Sequence, residues 1–228
     1  RLRPNGDAGM LVNSLDAFRD YQLTRAWMWE HQALTRARFC AGDAELGARF
    51  EALRVEILRQ PRDLAKLRED VLTMRQRMLD AHATHREDIF DLKHDPGGLI
   101  DVEFIVQYLI LGHAHAHARL CGNLGNIALL GIAAELGLIP GALAEPVRIA
   151  YREYRRLQHG LRLNNQASRV DPDLVADMAA GVRAVTSNPP PEDAFTPISC
   201  IYCSRFSCMR CTACPSCLRK TRRSIARR

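Results

Sequence analysis

Residues 90–108 read FDLKHDPGGLIDVEFIVQY, and the fold turns on how this stretch is parsed. Pro96, Gly97 and Gly98 stop any preceding element and permit unusual backbone angles. From Leu99 to Leu111 the chain stays apolar long enough for a largely buried helix, which places the glycines at its N-terminus. Free N–H groups there, the positive end of the helix dipole and nearby Lys93 together favour an anion such as a phosphate. Asp101 and Glu103 are two residues apart, roughly 200° around a helix, and so do not form one carboxylate pair. Glu103 and Gln107, four apart, share a face. Two readings of these groups are open. Either Asp101 complements the dipole while Glu103 and Gln107 pair with neighbouring helices, or together they surround a binding site.

Toward the N-terminus, Arg1 to Arg3 reads as the end of a strand entering a turn at Pro4, Asn5, Gly6 and Gly9. Ser14 is a predicted N-cap for a helix that runs from Leu15 to Arg38. Leu46, Phe50, Leu53 and Ile57 form a helical stripe. After Pro61, the positions Leu64, Leu67, Val71, Met74, Met78 and Ala81 keep a seven-residue repeat. Without a flanking charge code, the repeat predicts an antiparallel pair inside one bundle, not a coiled coil between chains. Phe90 to Lys93 is a candidate short strand.

Toward the C-terminus, His113, His115 and His117 alternate, but in a helix neighbouring members stand about 200° apart and cannot share a metal. Asn126 is a predicted cap for Ile127 to Leu136, which Gly137 and Pro140 terminate. In a predicted helix from Pro146 to Leu163, the residues Val147, Tyr151, Tyr154, Gln158 and Leu161 mark the packing side. Arg148, Arg152, Arg155, His159 and Arg162 form the adjoining stripe. That stripe is either a solvated face or a row facing phosphates or an acidic protein surface. A last helix spans Asp171 to Val185, with Asp171 as cap and Pro172 at its first position.

Three segments carry a family resemblance: WMWEHQALTRAR, KHDPGGLIDVEFIVQYLILGHA and NLGNIALLGIAAELGLIP. In that order and at that spacing, the chain from Arg1 to about Val185 closely resembles the adenylyltransferase half of the bacterial glutamine synthetase adenylyltransferases, bifunctional adenylyl transferases and removases. The resemblance implies an enzyme of the nucleotidyltransferase class that moves AMP from ATP to a tyrosine hydroxyl of glutamine synthetase. It implies ATP and Mg²⁺ as cofactors, and glutamine synthetase and a nitrogen-regulatory signalling protein as partners. It places Arg36 and Arg38 near nucleotide or substrate phosphates, Arg1 and Arg3 beside the metal strand, Lys93, Gly97 and Gly98 near phosphate, and Asp101 and Glu103 as orienting carboxylates. The last of the three metal-holding acids falls two residues before Arg1, so the 228 residues alone are expected to be inactive. The alternative is a non-catalytic helical module that binds glutamine synthetase or its regulator.

Charge divides the chain. The net charge of +6 comes from residues 186–228, which hold eight Arg or Lys against two acids; the remaining 24 basic and 24 acidic residues cancel over residues 1–185. Global charge therefore gives no reason to infer nucleic-acid binding by the body. With no run of about 18 apolar residues and no leader pattern, a cytoplasmic protein without a membrane partner is expected. Beyond Pro189–Pro191, Cys200, Cys203, Cys208 and Cys211 have metal-ligand spacing, and Cys214 and Cys217 continue the series. The gap between pairs is short for a zinc ribbon and few apolar residues surround it. Sequence that has left the family's frame is preferred over a metal module or plain disorder, and zinc is not expected.

The expected fold class is mainly α: a helical bundle attached to the edge of a nucleotidyltransferase α/β domain, with a disordered Cys-rich tail. Residues 1–42 are the nucleotidyltransferase remnant, 43–185 the helical domain and 186–228 the basic tail.

Overall fold

The structure, a computed structural model, describes Pro4 and residues 9–82 and 86–187. Arg1, Arg3 and the tail cysteines Cys200, Cys203, Cys208 and Cys211 lie outside the described residues. The described part is mainly α, as the sequence predicts. The helices are α1 (Leu15–Thr24), α2 (Met28–Leu34), α3 (Ala44–Leu58), α4 (Leu64–His82), α5 (Leu99–His113), α6 (Asn126–Glu135), α7 (Gly141–Leu163) and α8 (Ala176–Ser187). Between α4 and α5 lies β1 (Phe90–Asp91), which pairs antiparallel with β2 (Arg169–Val170), with Phe90 opposite Val170. No helix among the described residues is long and apolar enough to cross a membrane.

α5 is the axis. Apart from Glu103, Gln107 and His113, all its residues are buried. A helix apolar on all sides must be covered on all sides, and α2, α4, α6, α7 and α8 do so. Two of the three exceptions, Glu103 and Gln107, meet polar side chains of α7 and α2. α7 instead buries one face, with Val147, Ala150, Tyr151, Tyr154 and Gln158 inside, as its amphipathic pattern predicts.

Several element boundaries differ from the sequence reading. The helix expected from Leu15 to Arg38 breaks at Arg25–Trp27. Trp27 is extended, and its N–H donates to Glu30 Oε2 at 2.8 Å, which starts α2 afresh. Glu30, 2% exposed, also accepts from the Tyr21 hydroxyl at 3.0 Å, so one buried carboxylate fixes the corner. α3 and α4 do not form the expected pair: α3 packs on α1 and α2, whereas α4 packs on α5 and α2. The buried line of α4 is Leu67, Val71, Arg75 and Leu79, and Ala81 of the predicted repeat is exposed. Asn126 is the first residue of α6, not its cap, which is Gly125. α7 starts at Gly141, ahead of the predicted Pro146, which lies inside the helix. Ser14 caps α1 as predicted, accepting from Ala17 N–H at 3.1 Å. Asp171 caps a 3₁₀ turn, Pro172–Leu174, ahead of α8.

Three arginines join the C-terminal ends of α2, α3 and α5, where unpaired carbonyls concentrate negative potential. Arg54, 1% exposed, donates to the carbonyls of Leu34, Thr35 and Cys121 at 3.2, 3.0 and 2.9 Å. Arg59 reaches Ala114 O and His115 O, both at 3.3 Å. Arg62 bonds Ile57 O at 2.9 Å and Leu111 O at 3.2 Å, and burial pulls its guanidinium down to about 10. Carbonyl groups, with one carboxylate (Glu51, 3.6 Å from Arg54 Nη1), hold these cations in place.

Candidate functional site

The Pro-Gly-Gly turn is built from its neighbours inward. Gly97 has φ +91°, and an added Cβ would stand 2.6 Å from the Ala179 carbonyl oxygen of α8. At Gly98 an added Cβ would stand 2.8 Å from Leu92 O. The glycines thus let two backbones pass closer than any side chain allows. Each N–H along the turn has an acceptor inside the chain. Gly97 N–H donates to Asp101 Oδ2, Gly98 to Asp95 O at 2.9 Å, Leu99 to Leu92 O at 2.9 Å and Ile100 to Lys93 O at 3.2 Å. Asp101, 7% exposed, also pairs with buried Arg75, whose Nη2 donates to His94 O at 2.9 Å. Arg183 Nη1 donates to Pro96 O at 3.1 Å. α4 and α8 therefore clamp the turn, and of the predicted residues at the turn Lys93 is the exposed one.

Glu103 faces away from Asp101, as their spacing requires. It accepts from the Tyr151 hydroxyl of α7 at 3.4 Å, and Gln107 Oε1 accepts from Gln32 Nε2 of α2 at 3.2 Å. Arg36, just beyond α2, donates through Nη1 to Asn126 Oδ1 of α6 at 3.0 Å, and its charge acts on the Tyr151 hydroxyl. A polar seam thus connects α2, α5, α6 and α7 on the side of α5 opposite the Asp101–Arg75 pair. Burial raises the Tyr151 hydroxyl above its ordinary value, and the Glu103 charge raises it further, while Arg36 and Arg155 act the other way. A proton is therefore held on Tyr151 between a carboxylate and two guanidiniums.

The structure brings together Arg36 and Glu103 from the predicted set and separates them from the Gly97–Asp101 turn. Arg38 is exposed and has no polar side-chain partner among the described residues. The predicted arginine stripe of α7 divides. Arg148 bonds Ile127 O at 3.1 Å and Glu145 Oε2 at 2.6 Å, and Arg155 bonds Gln158 Oε1 at 3.1 Å. Arg75, Gln32 and the side-chain role of Asn126 were not singled out from sequence. Arg75 follows Val71 by four residues and precedes Leu79 by four, and a charged residue within an apolar line signals a buried partner.

The family model described as glutamate-ammonia ligase adenylyltransferase matches residues 1–53, and that described as GlnD PII-uridylyltransferase matches residues 65–182. Both describe nucleotidyl-group transferases, which defines the class. The bifunctional glutamine synthetase adenylyltransferase/adenylyl-removing enzyme of Aromatoleum aromaticum is 62% identical over 185 residues, 81% of this chain and 20% of its own length. The enzyme of the same description from Chromobacterium violaceum is 59% identical over 182 residues, 79% of this chain and 20% of its own. That from Nitrosomonas europaea is 54% identical over 188 residues, 82% of this chain and 20% of its own. The chain belongs to the glutamine synthetase adenylyltransferase family. It spans about a fifth of the length of these curated relatives.

Proposed function

We propose that this chain is part of the adenylyltransferase half of an enzyme that transfers AMP from ATP to a tyrosine of glutamine synthetase, and so regulates nitrogen assimilation in the cytoplasm under a nitrogen-regulatory signalling protein. The observation that supports this most is the 62% identity over 185 residues to an enzyme of that description. Residues 1–42 are the edge of the nucleotidyltransferase domain, 43–185 its helical companion and 186–228 a tail. Arg1, Arg3, Arg36, Arg38 and Lys93 serve the phosphates of ATP or substrate. Glu103 orients Tyr151, and Asp101 ties the Gly97–Gly98 turn to Arg75 of α4.

Magnesium does not fit the described residues, among which no three carboxylate, imidazole or thiolate groups gather to hold a metal. In this reading two ions, which align the attacking oxygen and the leaving pyrophosphate, belong to carboxylates ahead of Arg1. The 228 residues alone are then inactive. Incubation of glutamine synthetase with ATP labelled in the α-phosphate and Mg²⁺ tests both statements. The whole enzyme labels the target, its Arg36→Gln variant labels it more slowly, and the 228-residue chain does not. Labelling by the 228 residues alone refutes the assignment of the metal site. No labelling by the whole enzyme refutes the transfer reading.

A second reading, a non-catalytic module that binds glutamine synthetase or its regulator, draws on the exposed Trp27 and Trp29. They line a cleft of about 180 Å³ with Asp70 and Arg77. It predicts retention of a partner on the immobilised chain, reduced by Trp27→Ala.

A further inference from the structure

The face of α4 turned away from the core carries a charge order that reads the same in both directions once the signs are exchanged. At about 100° per residue, Lys66, Asp70, Arg77 and Asp80 all fall within about 60° of the line through Thr73. Asp70 is half-buried, and the other four residues are exposed. Outward from Thr73 the order is acid then base toward the N-terminus, and base then acid toward the C-terminus. The side chains of Lys66, Asp70 and Arg77 make no hydrogen bond or ion pair among the described residues, while Asp80 accepts from Gln76 Nε2 at 2.7 Å.

Independently of these charges, the flank that carries Asp70 and Arg77 also carries the cleft of Trp27 and Trp29, which Thr73 and Met74 line as well. The two indoles are 70% and 42% exposed, yet the backbone that presents them is pinned by the Trp27 N–H bond to Glu30. Large apolar groups on fixed backbone lose little order on being covered. At about 150–250 Å² for a whole aromatic side chain, the exposed parts of the indoles in two copies amount to roughly 350–550 Å².

We propose that this face is the interface of a two-fold homodimer, in which α4 runs antiparallel to α4 of a second copy. A two-fold axis at Thr73, perpendicular to α4, reverses the helix and keeps each flank on its own side. Asp70 then lies opposite Arg77 of the second copy, and Lys66 opposite its Asp80. The indoles of both copies come to the same side and cover one another. On the other flank Glu69 meets neutral Gln76, so this register sets no like charges opposite each other. Exposed ion pairs add little affinity, but they reject the parallel arrangement, which would face each charge with its own kind. The face is its own complement, so a second copy is the partner it fits. Indoles and helix face together make a contact at the small end of specific interfaces, and a dissociation constant of micromolar order is expected. The dimer is independent of the transfer reading, and it covers the cleft that the module reading leaves open.

The test is sedimentation equilibrium of the 228-residue chain in reductant, from about 1 to about 200 µM, a range that brackets such a constant. A monomer–dimer equilibrium is expected. Trp27 and Trp29 are the chain's two tryptophans, so its emission shifts to the blue with the same midpoint. Asp70→Arg and Arg77→Asp each set like charges opposite one another and raise the dissociation constant about tenfold, with the unfolding temperature of the dilute protein unchanged. An equimolar mixture of the two single variants restores association, because every charge in the mixed dimer again meets its opposite. A chain that stays monomeric throughout the range overturns the proposal; retention of that monomer by glutamine synthetase, with altered emission, gives the cleft to the module reading instead. A dimer that either single variant leaves at parent affinity, or that the mixture fails to restore, also overturns it.

Discussion

Replacing Gly97 by alanine separates a packing role for the Pro-Gly-Gly turn from a ligand-binding one, because packing acts with no ligand present. Two costs add. An L-residue at φ +91° loses about 1–2 kcal/mol on chirality alone. The new methyl would stand 2.6 Å from Ala179 O and 2.9 Å from Ala179 Cα, and forcing α8 outward costs about 1–3 kcal/mol more. The stiffer unfolded chain of alanine returns about 0.4–1 kcal/mol. The net loss is about 1–4.6 kcal/mol, which lowers the midpoint of thermal unfolding by roughly 2–18 °C for a domain of this size. Urea unfolding followed by far-UV circular dichroism in phosphate-free buffer measures it. Ala179→Gly removes only the Cβ at 3.0 Å and leaves the closer backbone atoms, so it recovers only a small part of the loss in a double-mutant cycle. A Gly97→Ala chain within about 0.5 kcal/mol of the parent, or one fully restored by Ala179→Gly, refutes the packing account.

Three other outcomes are expected. Arg54→Met leaves the carbonyls of Leu34, Thr35 and Cys121 without their donor and destabilises the chain by about 3–5 kcal/mol, the usual range for stripping a buried charged network; a shift below 1 kcal/mol in chemical denaturation counts against it. Burial lowers the pKa of His31 and His113 in the fold, so as pH falls through about 6.5 the unfolded chain takes up protons first. Stability is therefore lost as pH falls from neutral toward the lowered folded values, and His31→Gln with His113→Gln flattens that dependence; an unaltered pH profile in the double variant contradicts this. Glu103→Gln lowers the pKa of Tyr151 and Arg36→Met raises it, because the carboxylate and the guanidinium act on that hydroxyl in opposite directions; phenolate absorbance or the ring carbon shift reads both, and shifts of the same sign in the two variants contradict the seam.

What the sequence determined by itself is the set of helices and their sides. The apolar run after Gly98 requires a helix covered all round, and α7 shows its buried face in its periodicity, because burial of apolar surface leaves a direct trace in residue type. Two-residue spacing likewise separates Asp101 from Glu103. Boundaries were less legible where one buried side chain overrides local preference, as Glu30 does at the corner before α2 and as Pro146 is tolerated inside α7. Partnership was the work of tertiary structure. Nothing local says that Asp101 meets Arg75, that Arg36 meets Asn126 across 90 residues of chain, or that α3 leaves α4 for α1 and α2. A hydrogen bond between distant residues depends on where whole helices pack, and polar residue type alone does not encode the partner.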